Sequence, residues 1–140
     1  MIRAIHCTLA AALALAAGCA DPGPKVVPVR GKVTYNGNPV TSGTVTFTPT
    51  AGGPPATGEI GPDGTFAMTT FKSGDGAVPG KHKVFIAAMA GPNDQLPESR
   101  SPTPPPTIPV KYTHPATSPL TADVGDTETA VTFELTGPLK

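Results

Sequence analysis

Beyond its first 18 residues this chain is punctuated by turn-forming residues between short alternating segments, with no helix of ordinary length expected, and that spacing constrains its fold more than any other feature. The sequence carries 19 prolines and 16 glycines among 140 residues, a quarter of the total. Content that high approaches the range of low-complexity chains, but here these residues fall between short segments that alternate polar and apolar. Lys32-Val33-Thr34-Tyr35 alternates and runs into Asn36-Gly37, a dipeptide that tolerates the positive φ angles of a tight hairpin turn. Thr44 to Thr48 repeats the alternation with β-branched residues and puts Val45 and Phe47 on one face. Gly52-Gly53-Pro54-Pro55 breaks the chain, Thr57 to Ile60 reads as a short strand, and Gly61-Pro62-Asp63-Gly64 sets Pro, Asp and Gly where a β-turn needs them.

The pattern continues with Thr65 to Phe71, Phe66 and Met68 facing inward, and with a loop from Gly74 to Gly80. Lys81 to Met89 is the longest predicted strand. Its Val84 and Ile86 face one way and Phe85 the other, as in a central, covered strand. Residues 90–107 hold six prolines without periodicity and form a long Pro-rich loop. Leu120 to Val124 and Val131 to Leu135 then read as a closing hairpin, with Val131, Phe133 and Leu135 inward. The expectation is an all-β chain, an antiparallel β-sandwich of about seven strands.

A second feature concerns location. Met1 to Arg3 form a small positive region, Ala4 to Ala17 an apolar stretch, and Leu15-Ala16-Ala17-Gly18-Cys19 ends it. A stretch of about 14 residues suits the core of a signal peptide and is too short to span a bilayer. The pattern resembles the lipobox of bacterial lipoproteins, with Ala16 where leucine is commonest. The resemblance implies a cleaved N-terminal signal helix over residues 1–18, a diacylglyceryl thioether on Cys19, and a fatty acyl (palmitate-type) group on the new amine. The other reading is an ordinary secretory signal cut after small residues. Cys7 lies within the discarded peptide, so Cys19 would be the only remaining thiol and no internal disulfide could form. A thioether-linked lipid removes a thiol that would otherwise be reactive in an oxidising compartment.

Residues 19–27 read as the lipidated cysteine and a tether, in which Ala20 to Lys25 extend at most about 20 Å. Ala20 follows the cysteine and Asp21 comes one place later, so an aspartate retention signal is out of position. The expected address is the bacterial cell envelope, at the outer membrane, with the membrane as partner through the lipid on Cys19. The ten basic and ten acidic residues of the whole chain leave no electrostatic footprint for nucleic acid. The chain from residue 19 onward is long enough for one domain, read over residues 28–137.

Further residues carry a family resemblance. Gly31-x-Val33, Gly37-x-Pro39-Val40, Gly43-x-Val45-x-Phe47, Asp63-Gly64-x-Phe66 and Gly76-x-x-Pro79-Gly80-x-His82-x-Val84 are similar to the transthyretin-like or carboxypeptidase-regulatory-like domain. Ile108-Pro109-x-Lys111-Tyr112 and Thr117-Ser118-x-Leu120 extend the likeness. It implies a prealbumin-like sandwich and is nearly silent on activity, because these residues mark turns and strand cores. The Tyr-Arg-Gly-Ser motif of the related 5-hydroxyisourate hydrolase does not occur in this sequence, and His82 is followed three residues on by Phe85, not by a peptidase zinc ligand.

Candidate chemistry is sparse. His82 and His114 are the histidines beyond the leader, and both are expected in surface or turn roles, with no catalytic assignment. Serines 42, 73, 99, 101 and 118 lack the context of a nucleophile elbow. Asp123, Asp126 and Glu128 gather oxygen ligands within six positions, a weak metal candidate whose spacing does not match an EF-hand loop. There is no tryptophan, so Tyr35 and Tyr112 are the only rings suited to stacking on a glycan or partner. Pro102 to Pro106 would favour a polyproline II segment.

These readings lead to a non-enzymatic, cofactor-free envelope lipoprotein whose β-sandwich acts as a structural or interaction module. A carbohydrate- or peptidoglycan-binding accessory domain is the second reading, and a transthyretin-related hydrolase the third.

Overall fold

A computed structural model describes residues 23–88 and 107–139. The lipobox with Cys19 and the Pro-rich segment up to residue 106 lie outside the described residues. Eight strands form two four-stranded sheets: β1 (Val29–Tyr35), β2 (Asn38–Pro39), β3 (Thr44–Pro49), β4 (Ala56–Glu59), β5 (Thr65–Ala67), β6 (Gly80–Ala87), β7 (Thr121–Val124) and β8 (Thr129–Leu135). The architecture is therefore an all-β sandwich.

In the first sheet β1 is central. One of its edges pairs with β8, and the other is shared by β2 at the Tyr35 end and β5 at the Arg30 end. The turn between β1 and β2 is the one the sequence predicts, with Asn36 at φ 48° and Gly37 at φ 85°. Both residues occupy the left-handed region, whose twist matches a two-residue hairpin. The second sheet runs β4-β3-β6-β7, antiparallel throughout, with β6 and β3 interior.

Four sequence expectations need correction. The second arm of the Asn36-Gly37 hairpin is the two-residue strand β2, which brings the count to eight. β1 and β8 are parallel, from Val29 opposite Thr129 to Tyr35 opposite Leu135, so the sandwich is not wholly antiparallel. The strand expected over 65–71 ends at Ala67, where Asp75 draws the following main chain into a loop. Finally, β7 and β8 are not a hairpin: β7 pairs with β6 in one sheet and β8 with β1 in the other. Residues 125–128 extend far enough to cross the ~10 Å between packed sheets. Thr129 holds that crossing, its hydroxyl donating to Thr127 O at 3.1 Å and accepting from Gly125 N–H at 3.3 Å.

The core lies where alternation places it. Val45 and Phe47 from β3, Val84 and Ile86 from β6, Val29 and Val33 from β1, and Phe133 and Leu135 from β8 are all buried. Three phenylalanines join the sheets. Phe66 and Phe133 of the first sheet stack with centroids 6.2 Å apart, and Phe47 of the second meets their rings edge-on at 6.5 and 6.1 Å. Gly31 makes room for this cluster: a Cβ there would collide with the Phe66 ring and with the main-chain oxygen of Val131. A glycine inside a strand here answers to close packing on both sides.

The two ends of the sandwich are distinct. Val27 exchanges main-chain hydrogen bonds with Ala77 at 2.9 and 3.0 Å, so the start of the described chain joins the loop after β5. The opposite end carries the Asn36-Gly37 turn, and there Thr107 N–H donates to Ala88 O at 3.0 Å, which pins the two borders of the Pro-rich segment together.

Candidate functional site

Tyr35 and Tyr112 prove to be related. Tyr35 ends β1 and donates its hydroxyl to Gly137 O at 2.6 Å. Tyr112 sits in a 3-10 turn over Val110–Tyr112, donates to Thr136 O at 3.1 Å and accepts from Thr136 N–H at 3.3 Å. The two rings thus clamp the same short extension of β8, a convergence that sequence spacing does not reveal. Tyr112 is buried and presents no open face for stacking, while Tyr35 is half-buried. The Lys111 ammonium lies 4.7 Å from the centre of the Tyr112 ring. Desolvation works to raise the Tyr112 pKa, but the hydrogen bonds with Thr136 and the neighbouring lysine outweigh it and hold the phenol below its ordinary range.

Beside Tyr35 the turn encloses an open cleft of about 230 Å³, lined by Tyr35, Asn36, Asn38, Pro39, Val40 and Thr41 with Thr107. That is smaller than the usual ligand cavity. Its polar groups are neutral amides and hydroxyls, suited to hydrogen bonding with an uncharged polar molecule.

The carboxylate cluster does not converge. Asp123 is exposed on β7 opposite Lys81, the Asp126 main-chain oxygen accepts from Lys25 Nζ at 3.3 Å, and Glu128 lies 3.8 Å from Arg30 Nε with both side chains largely exposed. Among the described residues no group of three or more His, Cys, Asp or Glu could hold a metal ion. Two other aspartates organise loops. Asp63 accepts from the Thr65 hydroxyl at 2.6 Å and the Thr65 N–H at 3.1 Å, and these bonds lower its pKa. At Asp75, desolvation raises the pKa, but the N–H groups of Thr70, Lys72 and Phe71 together hold the carboxyl below the ordinary range.

His82 overturns the expectation of a surface or turn role. It is 1% exposed, on the inner face of β6, with its ring centroid 5.6 Å from that of Phe47. Nε2 lies 2.7 Å from Val78 O, and because a carbonyl only accepts, Nε2 carries the proton. Nδ1 is buried without a hydrogen-bond partner. The signal was present in the sequence: His82 shares the parity of Val84 and Ile86, so a strand that buries those two buries the histidine. His114 is exposed, and its carbonyl accepts from Thr117 and Ser118 N–H. Sequence reasoning also missed Ser118, which is buried, donates to Val84 O at 2.6 Å and accepts from Leu120 N–H at 3.2 Å. It staples the segment before β7 onto β6.

Among the described residues no helix is long and apolar enough to cross a membrane. Fold and site together define a two-sheet β-sandwich with a small neutral cleft at one end. Comparison with protein-family models, curated proteins and solved structures found no match.

Proposed function

We propose that this chain is a lipid-anchored protein of the bacterial envelope, at the outer membrane, whose prealbumin-type sandwich serves as a non-catalytic structural or interaction module. One observation carries the reading: Leu15-Ala16-Ala17-Gly18-Cys19 stands just ahead of the point where the chain enters the sandwich at Val27. From Cys19 to Val27 a fully extended chain reaches about 28 Å, so the anchor holds the sandwich next to the bilayer. Two or three acyl chains hold firmly where one would not, at about 0.8 kcal/mol for each buried methylene. Division into two four-stranded sheets supports the prealbumin type. The non-catalytic reading draws on what the polar side chains do: Tyr35, Tyr112, Ser118, Asp63, Asp75 and His82 all bond main-chain groups that hold turns and strand ends.

Metabolic labelling with an alkyne analogue of palmitate tests the anchor. The wild type should take up label and fractionate with membranes, and Cys19→Ala should lose both properties; continued labelling of that variant would refute the assignment. Crosslinking in the intact envelope then identifies the partner.

A second reading, binding of an uncharged sugar strand such as that of peptidoglycan, is favoured by the cleft beside Tyr35. It requires wild-type protein to sediment with purified sacculi and Asn38→Ala to do so less well. Equal sedimentation of the two chains would remove the cleft from consideration.

A further inference from the structure

Among the described residues three large apolar side chains are exposed, Phe71, Val110 and Leu139, and Phe71 is the one aromatic of the three, at 56%. Single exposed apolar residues are ordinary, but the setting of Phe71 is not. Its loop is tied down on several sides. The Asp75 carboxylate accepts from Thr70 N–H at 2.7 Å and from Phe71 and Lys72 N–H at 2.9 Å each, the Thr70 hydroxyl donates to Gly76 O at 2.7 Å, and Gly74 N–H donates to Thr69 Oγ1 at 2.9 Å. A loop held this way presents its ring outward with the main-chain ordering already complete, so any contact made by the ring costs little further entropy.

The position of the loop supplies the occupant. A Cβ on Gly23 would lie 3.9 Å from Phe71 Cζ, so the chain arriving from Cys19 passes the ring at contact distance. Between Cys19 and Gly23 an extended chain covers only about 14 Å. Lys25 and Lys72 are exposed at this end, and so are Asp126 and Glu128, the latter beside Arg30. Charges of both signs favour shallow apolar insertion over attraction to anionic lipid. Val110 and Leu139 belong to the other end, where Tyr35 and Tyr112 clamp residues 136 and 137.

We propose that Phe71 is an interfacial contact that seats the sandwich on the bilayer anchoring Cys19, leaving the Asn36-Gly37 turn and its cleft facing away from the membrane. The proposal rests on the anchor reading above. It makes the lipid and the ring two points of attachment, and two points define an orientation where one does not.

The absence of tryptophan from the sequence makes the test direct. Phe71→Trp and Val110→Trp chains would be purified from membranes, their acyl state read by mass spectrometry, and each reconstituted into phosphatidylcholine vesicles with brominated acyl chains. Phe71→Trp should show blue-shifted emission and quenching several-fold stronger than Val110→Trp. Equal quenching in the two chains, or none in either, would overturn the proposal. So would a concentration-dependent blue shift without vesicles, which would mean that a second copy covers the ring. Should mass spectrometry find Cys19 bare, the anchor reading fails by itself, and docking is still measured by coupling Cys19 of a Cys7→Ser chain to a maleimide lipid in the same vesicles.

Discussion

Replacing Phe47 by alanine tests the central packing claim, that two sheets are joined through one aromatic cluster. Phe47 is fully buried and touches rings from both sheets: Phe66, Phe133 and His82. Phe→Ala at such a site costs about 3–5 kcal/mol, the sum of lost transfer energy and the cavity left behind. Against a total stability of about 5–15 kcal/mol that is a large share. For a domain near this size it lowers Tm by more than about 12 °C. Phe85 is the matched control, because it lies on the other face of the same sheet and is half-buried, so Phe85→Ala should cost only about 1–2 kcal/mol. Urea unfolding followed by circular dichroism measures both, with comparable slopes required for the comparison. A double-mutant cycle between Phe47 and Phe133 should return a coupling of about 0.5–1.5 kcal/mol. If Phe85→Ala proves as costly as Phe47→Ala, the assignment of inner and outer faces is wrong; if the coupling is zero, edge-on ring contact contributes nothing.

Two further outcomes follow from individual hydrogen bonds. Tyr112→Phe removes the hydroxyl that both donates to Thr136 O and accepts from Thr136 N–H, so it should cost about 1–2 kcal/mol and speed amide exchange at Thr136; unchanged exchange would show that the clamp does not hold the end of β8. Asp75→Asn should destabilise at neutral pH by about 1 kcal/mol, discounted for solvent screening. The folded pKa of Asp75 lies below its ordinary 3.8, so the carboxylate's contribution is present above that pH and is lost as pH falls through the lowered value. The gap between wild type and Asp75→Asn in thermal unfolding should therefore narrow below pH 3.8. A gap of constant size into stronger acid would refute the role given to the carboxylate.

Legibility from sequence varied with the range of the interaction concerned. The Asn36-Gly37 turn and the inward faces of Phe66 and Met68, Val84 and Ile86, and Phe133 and Leu135 are legible in the sequence because turn chemistry and two-residue alternation are local properties. Thr65 to Phe71 reads as one strand because its alternation persists past Ala67, whereas Asp75, several residues further on, captures the main chain there. A histidine at a strand start reads as polar, yet the parity of His82 with Val84 commits it to the interior, where its Nε2–H donates to Val78 O. Tyr112 reads as a stacking ring because the chain has no tryptophan, yet the ring is buried and its hydroxyl is taken by Thr136, 24 positions along the chain.

The sequence by itself determined an all-β chain, the positions of most strands and tight turns, and which side chains face inward, since these depend on residues one to four apart. Tertiary structure alone decided which strands are neighbours. Val-Thr-Tyr at 33–35 and the Val-Thr-Phe segments at 45–47 and 131–133 are locally interchangeable, and only packing of both sheets against the Phe47, Phe66 and Phe133 rings places β8 parallel to β1 and sends β7 to the opposite sheet. The same long-range packing sets Gly23 beside Phe71 and brings Tyr35 and Tyr112 onto one segment. The two ends of the sandwich, and hence the orientation proposed for it at a membrane, therefore exist only in the folded molecule.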